Sequence, residues 1–123
     1  MTNSIILVTS PDDTDLDGKR ILLVDLTPEQ TQLVSDAISE TEGPDRIVVY
    51  MWRSGDDVDW LLDKKHKSKH IIFNADSTND LIVGYLTAQP NSSYLGTLKC
   101  LGGANNSAIY SLEQCKFILE NLI

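Results

Sequence analysis

The sequence predicts a single α/β domain: a three-layer sandwich with a mainly parallel sheet of about five strands, an antiparallel N-terminal strand, and helices on both faces. Three observations carry that expectation. Short runs rich in Ile, Leu and Val recur along the chain between turn residues, which is how strands buried on both faces read. Between them the apolar spacing changes to the helical period, and the helical segments open on Ser, Thr, Asp or Asn. Alternation of the two kinds of element implies parallel strands joined by helical crossovers.

Taken in order, "SIILVTS" (4–10) and "RILLVDL" (20–26) read as the first two strands. The "PDDTDLDGK" between them is too short for a helical crossover, so these two are expected to pair antiparallel as a hairpin, with the first at or beside a sheet edge. At "TPEQ" the period changes. Thr27 supplies a capping hydroxyl, Pro28 stands where no amide hydrogen is needed, and Gln30 can reach back to close a capping box. Leu33, Val34, Ala37 and Ile38 then recur on one face, and Gly43-Pro44 ends the helix.

"RIVVYMW" (46–52) is the third strand. A helix follows, with start signals at Ser54, Asp56 and Asp57 and a stripe of Val58, Leu61 and Leu62. "HIIFNAD" is a fourth strand. In the next helix Ser77 or Thr78 caps, Leu81, Ile82, Tyr85 and Leu86 share one side, and Pro90 closes it. "SSYLGTLKCLGG" is a strand or a loop with a turn of helix, because Gly96 interrupts either pattern. "SAIYS" reads as a short last strand. Ser111 and Gln114 space another capping box ahead of a helix with Leu112, Cys115, Ile118, Leu119 and Leu122 in register. No repeat or linker divides the chain, so residues 1–123 form one domain.

Composition narrows the function classes. An apolar fraction of 41% and a charged fraction of 23% are those of an ordinary globular domain. The net charge of -8 repels phosphates and anionic lipid, so neither direct nucleic-acid binding nor membrane association is expected. The basic cluster "KKHKSKH" (64–70) falls at a helix end, where its charge offsets the exposed carbonyls. No apolar run approaches the ~20 residues that span a bilayer, and no secretory segment opens the chain, which points to the cytoplasm. Cys115 lies on an apolar stripe and is expected to be a buried thiol. The acceptor patterns at Asn91 and Asn105 are read as idle.

In parallel α/β sheets, ligands sit beyond the carboxyl ends of the strands, where helix amino termini also aim their unpaired amides. That rule selects three clusters: Asp25, Thr27 and Gln30; Trp52, Arg53, Ser54 and Gly55; and Asn74, Asp76, Ser77, Thr78 and Asn79. All three are expected to line one edge. Each also has a structural reading, since Asn74 and Asp76 can close local turns and Ser77 or Thr78 can cap a helix. Arg53, a lone cation on an acidic edge, suits a carboxylate or phosphate, or else pairs with Asp56, Asp57 or Asp76. Trp52 beside it is read as exposed, and Trp with Arg is the pairing that dominates protein interfaces. Trp60, beside Leu61 and Leu62, reads as core.

Familiar catalytic patterns are missing from the sequence. It has no glycine-rich phosphate loop and no G-x-S-x-G elbow. His66 and His70 lie in the basic cluster, away from the predicted edge, so no serine or cysteine nucleophile has a well-placed base. No metal or cofactor is expected. The strand-helix order compares with receiver domains, but Asp25 lacks an adjacent second acid and Arg53 stands where an aspartate would, so no residue roles transfer. "HIIFNADSTND" and "LTAQPNSSYLGTLKCL" resemble small accessory proteins of tailed bacteriophages, a likeness that implies a bacterial cytoplasm and no particular activity. The expected function is a small acidic interaction or regulatory protein without catalysis, binding a protein partner or a second copy of itself. The alternative is a ligand-binding domain or small enzyme for an anionic or nucleotide-like molecule, using Asp25, Arg53 and Asp76.

Overall fold

A computed structural model of the chain describes residues 4–12, 17–41, 46–96 and 107–120. Its elements are β1 (Ser4–Thr9), β2 (Lys19–Val24), α1 (Pro28–Glu40), β3 (Arg46–Trp52), α2 (Val58–Lys67), β4 (His70–Asn74), α3 (Asp80–Thr87), β5 (Ser92–Leu95), β6 (Ser107–Ala108) and α4 (Leu112–Glu120). One sheet joins the strands in the order β1-β3-β2-β4-β5-β6. Every neighbouring pair in it is parallel.

The expected N-terminal hairpin is therefore wrong. β1 does not pair with β2; it lies parallel to β3, and β3 separates the two. The physical reason lies in β3, where Ile47, Val48, Val49 and Tyr50 are all buried. Such a strand needs a neighbour on each side, and a β1-β2 hairpin would have left it on the edge. The connection after β1 instead anchors to α2, where the Trp60 indole N–H donates to the Asp12 carbonyl at 2.8 Å.

Side chains alternate between two clusters. Ile21, Leu23, Ile47, Val49 and Ile72 join Val34, Ala37 and Ile38 of α1 and Cys115 and Leu119 of α4. Leu22, Val24, Val48, Tyr50, Ile71 and Phe73 join Trp60 and Leu61 of α2 and Leu86 of α3. The period of two along each strand thus serves one helix pair with odd residues and the other with even residues, or the reverse. Each such large side chain, fully buried, contributes on the order of 2 kcal/mol.

The capping box forms as read. Thr27 Oγ1 accepts from the Gln30 amide at 3.1 Å, and Gln30 Oε1 accepts from the Thr27 amide at 2.9 Å. Residues 43 and 44, expected to end this helix, lie outside the described residues, as does Leu122 beyond α4. Cys115 is a free, buried thiol, as expected, and burial pushes its pKa up to about 11.

Two helices differ from expectation. In α2 the buried residues are Trp60, Leu61 and Lys64, while Val58 stays 51% exposed. Lys64, the first residue of the basic cluster at the helix end, is 1% exposed. Its ammonium lies 5.4 Å from the Tyr50 ring centre and 5.6 Å from that of Trp60, and bonds Asp63 at 3.1 Å. The long apolar stem lets a lysine join a core while its head keeps polar and π partners. In α3 the cap is Asn79, whose side chain accepts from the Leu81 amide, and not Ser77 or Thr78. Leu81, expected on the apolar side, is 84% exposed.

Candidate functional site

Because β2, β3 and β4 are parallel, their following loops open at the same end of the sheet. The three predicted clusters do meet there, and hydrogen bonds between them set the shape. Asp25 is the hub. It is the one described non-glycine residue with a positive φ, 55°, a conformation that Asp tolerates better than most side chains. Its amide donates to the Trp52 carbonyl at 2.9 Å, extending the β2-β3 contact past the strand ends. Both carboxylate oxygens accept from Ser54: Oδ1 from the amide at 2.6 Å and Oδ2 from the hydroxyl at 2.8 Å. The Asp25 carbonyl accepts from the Ser77 hydroxyl at 3.2 Å, which ties in the loop after β4.

The other acids of the rim are also engaged. Asp56 Oδ2 accepts from the Arg53 amide at 3.0 Å, while the Asp56 amide donates to the Arg53 carbonyl at 2.9 Å. Asp57 caps α2 through the Asp59 amide. Asn74 is buried, and its Oδ1 accepts from the Asp76 amide at 3.1 Å, the local turn expected of it. Asp76 folds over Gly96 after β5. A Cβ built on Gly96, whose φ is +101°, would lie 2.5 Å from an Asp76 carboxylate oxygen. Glycine is required there by the backbone, while the exposed Asp76 carboxylate would have to swing aside for a larger residue.

Not every predicted residue reaches the surface of the rim. Trp52 is 2% exposed, which corrects its reading as an exposed interface residue. It belongs to the second core cluster, and its indole N–H donates to the Asp57 carbonyl at 3.0 Å. Asn74 is equally internal, and Thr27 serves the helix cap. Arg53, Ser54, Asp76 and Ser77 are exposed, with Asp25 half-buried among them. Among the described residues no ion pair joins Arg53 to Asp56, Asp57 or Asp76. Val58 and Leu81 stand exposed in the first turns of α2 and α3, beside these loops. The sequence concealed this pair, because both sit in helical positions that count as apolar stripe.

A serine-histidine contact does exist, but at the opposite end of the sheet. His70 Nε2 lies 2.7 Å from Ser93 Oγ, with His70 9% and Ser93 1% exposed. Burial holds the imidazole pKa down to about 4. With both groups shut away from solvent, the pair is a buried polar link between β4 and β5. Among the described residues no group of three or more His, Cys, Asp or Glu is placed to hold a metal, and no helix is long and apolar enough to cross a membrane. No protein-family model and no curated protein matches the chain.

Proposed function

We propose that this chain is a small non-catalytic interaction or regulatory protein that engages a protein partner through the rim at the carboxyl ends of β2, β3 and β4. One observation carries the reading. Both Asp25 oxygens bond Ser54, which turns the rim's central acid into a cross-link between loops, while Arg53, Val58 and Leu81 face outward around it. A preset shape with an arginine and apolar side chains on it is what a partner surface needs, because little ordering entropy remains to be lost on binding. The reading includes a three-layer arrangement, a bacterial cytoplasm and, from the likeness in the C-terminal half, an accessory role in a tailed phage.

The test compares capture of a partner by the native protein and by two rim variants. Arg53→Glu and Leu81→Asp each alter an exposed group and leave the core alone. A protein retained by the native chain and lost by both variants, with unfolding curves unchanged, is the expected result. Equal retention by all three sinks the reading.

One observation favours a small anionic or nucleotide-like ligand. The strand order reverses direction beside β2, between β3 and β4, and a crevice outside such a switch point is where ligands bind in these sheets. Asp25 and Ser77 already bridge that point. Thermal unfolding against a panel of nucleotides and small acids separates the two readings. A bound ligand at ~100 times its dissociation constant stabilises the native state by about 2.7 kcal/mol, a shift the partner reading does not require.

A further inference from the structure

β1 and β6 border the sheet; β6 is described over two residues, Ser107–Ala108. β1 has six, paired with β3 in an unbroken register from Ser4 to Thr9, and pairs with nothing else among the described residues. Its sequence, SIILVT, contains no charge, no proline and no glycine. Folded proteins ordinarily protect an outer strand with one of these or with a bulge, because the unpaired amides and carbonyls along it accept another strand. Leu7 adds to this. It is 57% exposed, the one large apolar strand residue left open among those described.

We infer that β1 is the contact surface of a homodimer, in which two copies pair their β1 strands antiparallel about a two-fold axis at Leu7. In that register Leu7 faces Leu7, Ile6 faces Val8 and Ile5 faces Thr9 of the other copy. Directly opposed residues of antiparallel strands point to the same face, so the register continues each core cluster into the second molecule. Ile6 and Val8 extend the cluster shared with α2 and α3, and Ile5 the cluster shared with α1 and α4, with the exposed Leu7 on the same face as Ile5.

Charge selects a second copy in this orientation. Arg46, exposed, lies in register with Ser4 at the start of β1. At the other end Pro11 lines a cleft of about 250 Å³ with the exposed Asp57 and Asp59, while Asp63 there is paired within its own helix to Lys64 and Lys67. An antiparallel pair sets the basic end of each copy beside the acidic end of the other, twice by symmetry. A parallel arrangement would set acid against acid. The net charge of -8 on each copy opposes association at long range, so local complementarity has to orient the encounter.

Sedimentation equilibrium on the whole chain, from micromolar to near-millimolar concentration, tests this surface separately from the rim, whose variants lie at Arg53 and Leu81. The native protein should approach twice the chain mass. Leu7→Lys places two ammonium groups against each other on the axis and should weaken association at least roughly tenfold, while its unfolding curve, taken at a concentration too low for association, stays that of the native chain. Arg46→Glu should weaken it too, with partial recovery in Arg46→Glu/Asp59→Lys. The register is read by oxidation in a Cys100→Ser background. Leu7→Cys should give a disulfide-linked dimer, and Thr9→Cys, opposite Ile5, should not. A native protein that stays monomeric throughout, or a dimer that Leu7→Lys leaves intact, overturns the inference.

Discussion

The two ends of the sheet both use serine as a hydrogen-bond partner, with opposite consequences. At the carboxyl end, Ser54 and Ser77 hold Asp25 in partly wet loops. At the amino end, Ser93 holds His70 inside the core. Side-chain hydrogen bonds in water contribute little net energy but fix the relative position of loops; buried ones bind the protonation state of the group to the folded state. The rim therefore carries shape, and the opposite end carries pH sensitivity.

The largest effect that would sharpen this contrast is acid destabilisation through His70. Its folded pKa of about 4 lies below the ordinary 6.5, so between these values the unfolded chain binds a proton that the folded chain refuses. Stability is complete above about pH 6.5 and falls as pH drops toward 4, by roughly 3 kcal/mol at most. Urea midpoints across that window measure it, and His70→Gln should flatten the slope. Asp63 does not confuse the window. Lys64 and then Lys67 hold its pKa below 3.8, so its contribution is lost only at lower pH.

Next in size is Gly96→Ala, which meets both a disfavoured backbone and the Asp76 carboxylate. A loss of about 3 kcal/mol is expected, with part recovered in Gly96→Ala/Asp76→Ala. Gly55→Ala isolates the backbone share, since φ is +102° there and nothing lies within 4 Å of the added carbon. Its cost should be about 1 kcal/mol. If the two glycines respond alike, the Asp76 contact adds nothing.

Asp25→Ala should cost about 2 kcal/mol, combining two lost bonds with the strain of alanine at positive φ. Asp25→Gly removes the same bonds without the strain and should cost about half as much. Chemical denaturation of the pair separates the two contributions. Equal losses would show that conformation at Asp25 is immaterial. The smallest effect is expected from Arg53→Ala, within about 0.5 kcal/mol of native stability, because the side chain is exposed and makes no ion pair with its neighbouring acids.

What was legible in the chain was local. The Thr27–Gln30 box spans one helical turn, so its chemistry is complete within four residues, and it forms as read. The apolar runs located the strands because burial on both faces leaves no room for polar residues. Long-range partners were not legible. Asp25 meets Ser54 across 29 positions and Ser77 across 52, and no local pattern distinguishes a carboxylate that will bridge loops from one that forms a turn. Trp52 was misplaced, and the burial of Lys64 not foreseen, for a related reason. Burial of an amphipathic side chain depends on which helix crosses above it, and here α2 covers Trp52 and buries Lys64 against Tyr50.

By itself, then, the amino-acid order determined the kinds of element, their succession and the end of the sheet at which polar loops gather, since periodicity, capping and crossover length act over a few residues. Only the tertiary structure decided that β3 lies between β1 and β2 and that the rim's central acid is a cross-link. Those outcomes depend on which surfaces compete for burial once all the elements are present, a comparison no single segment contains.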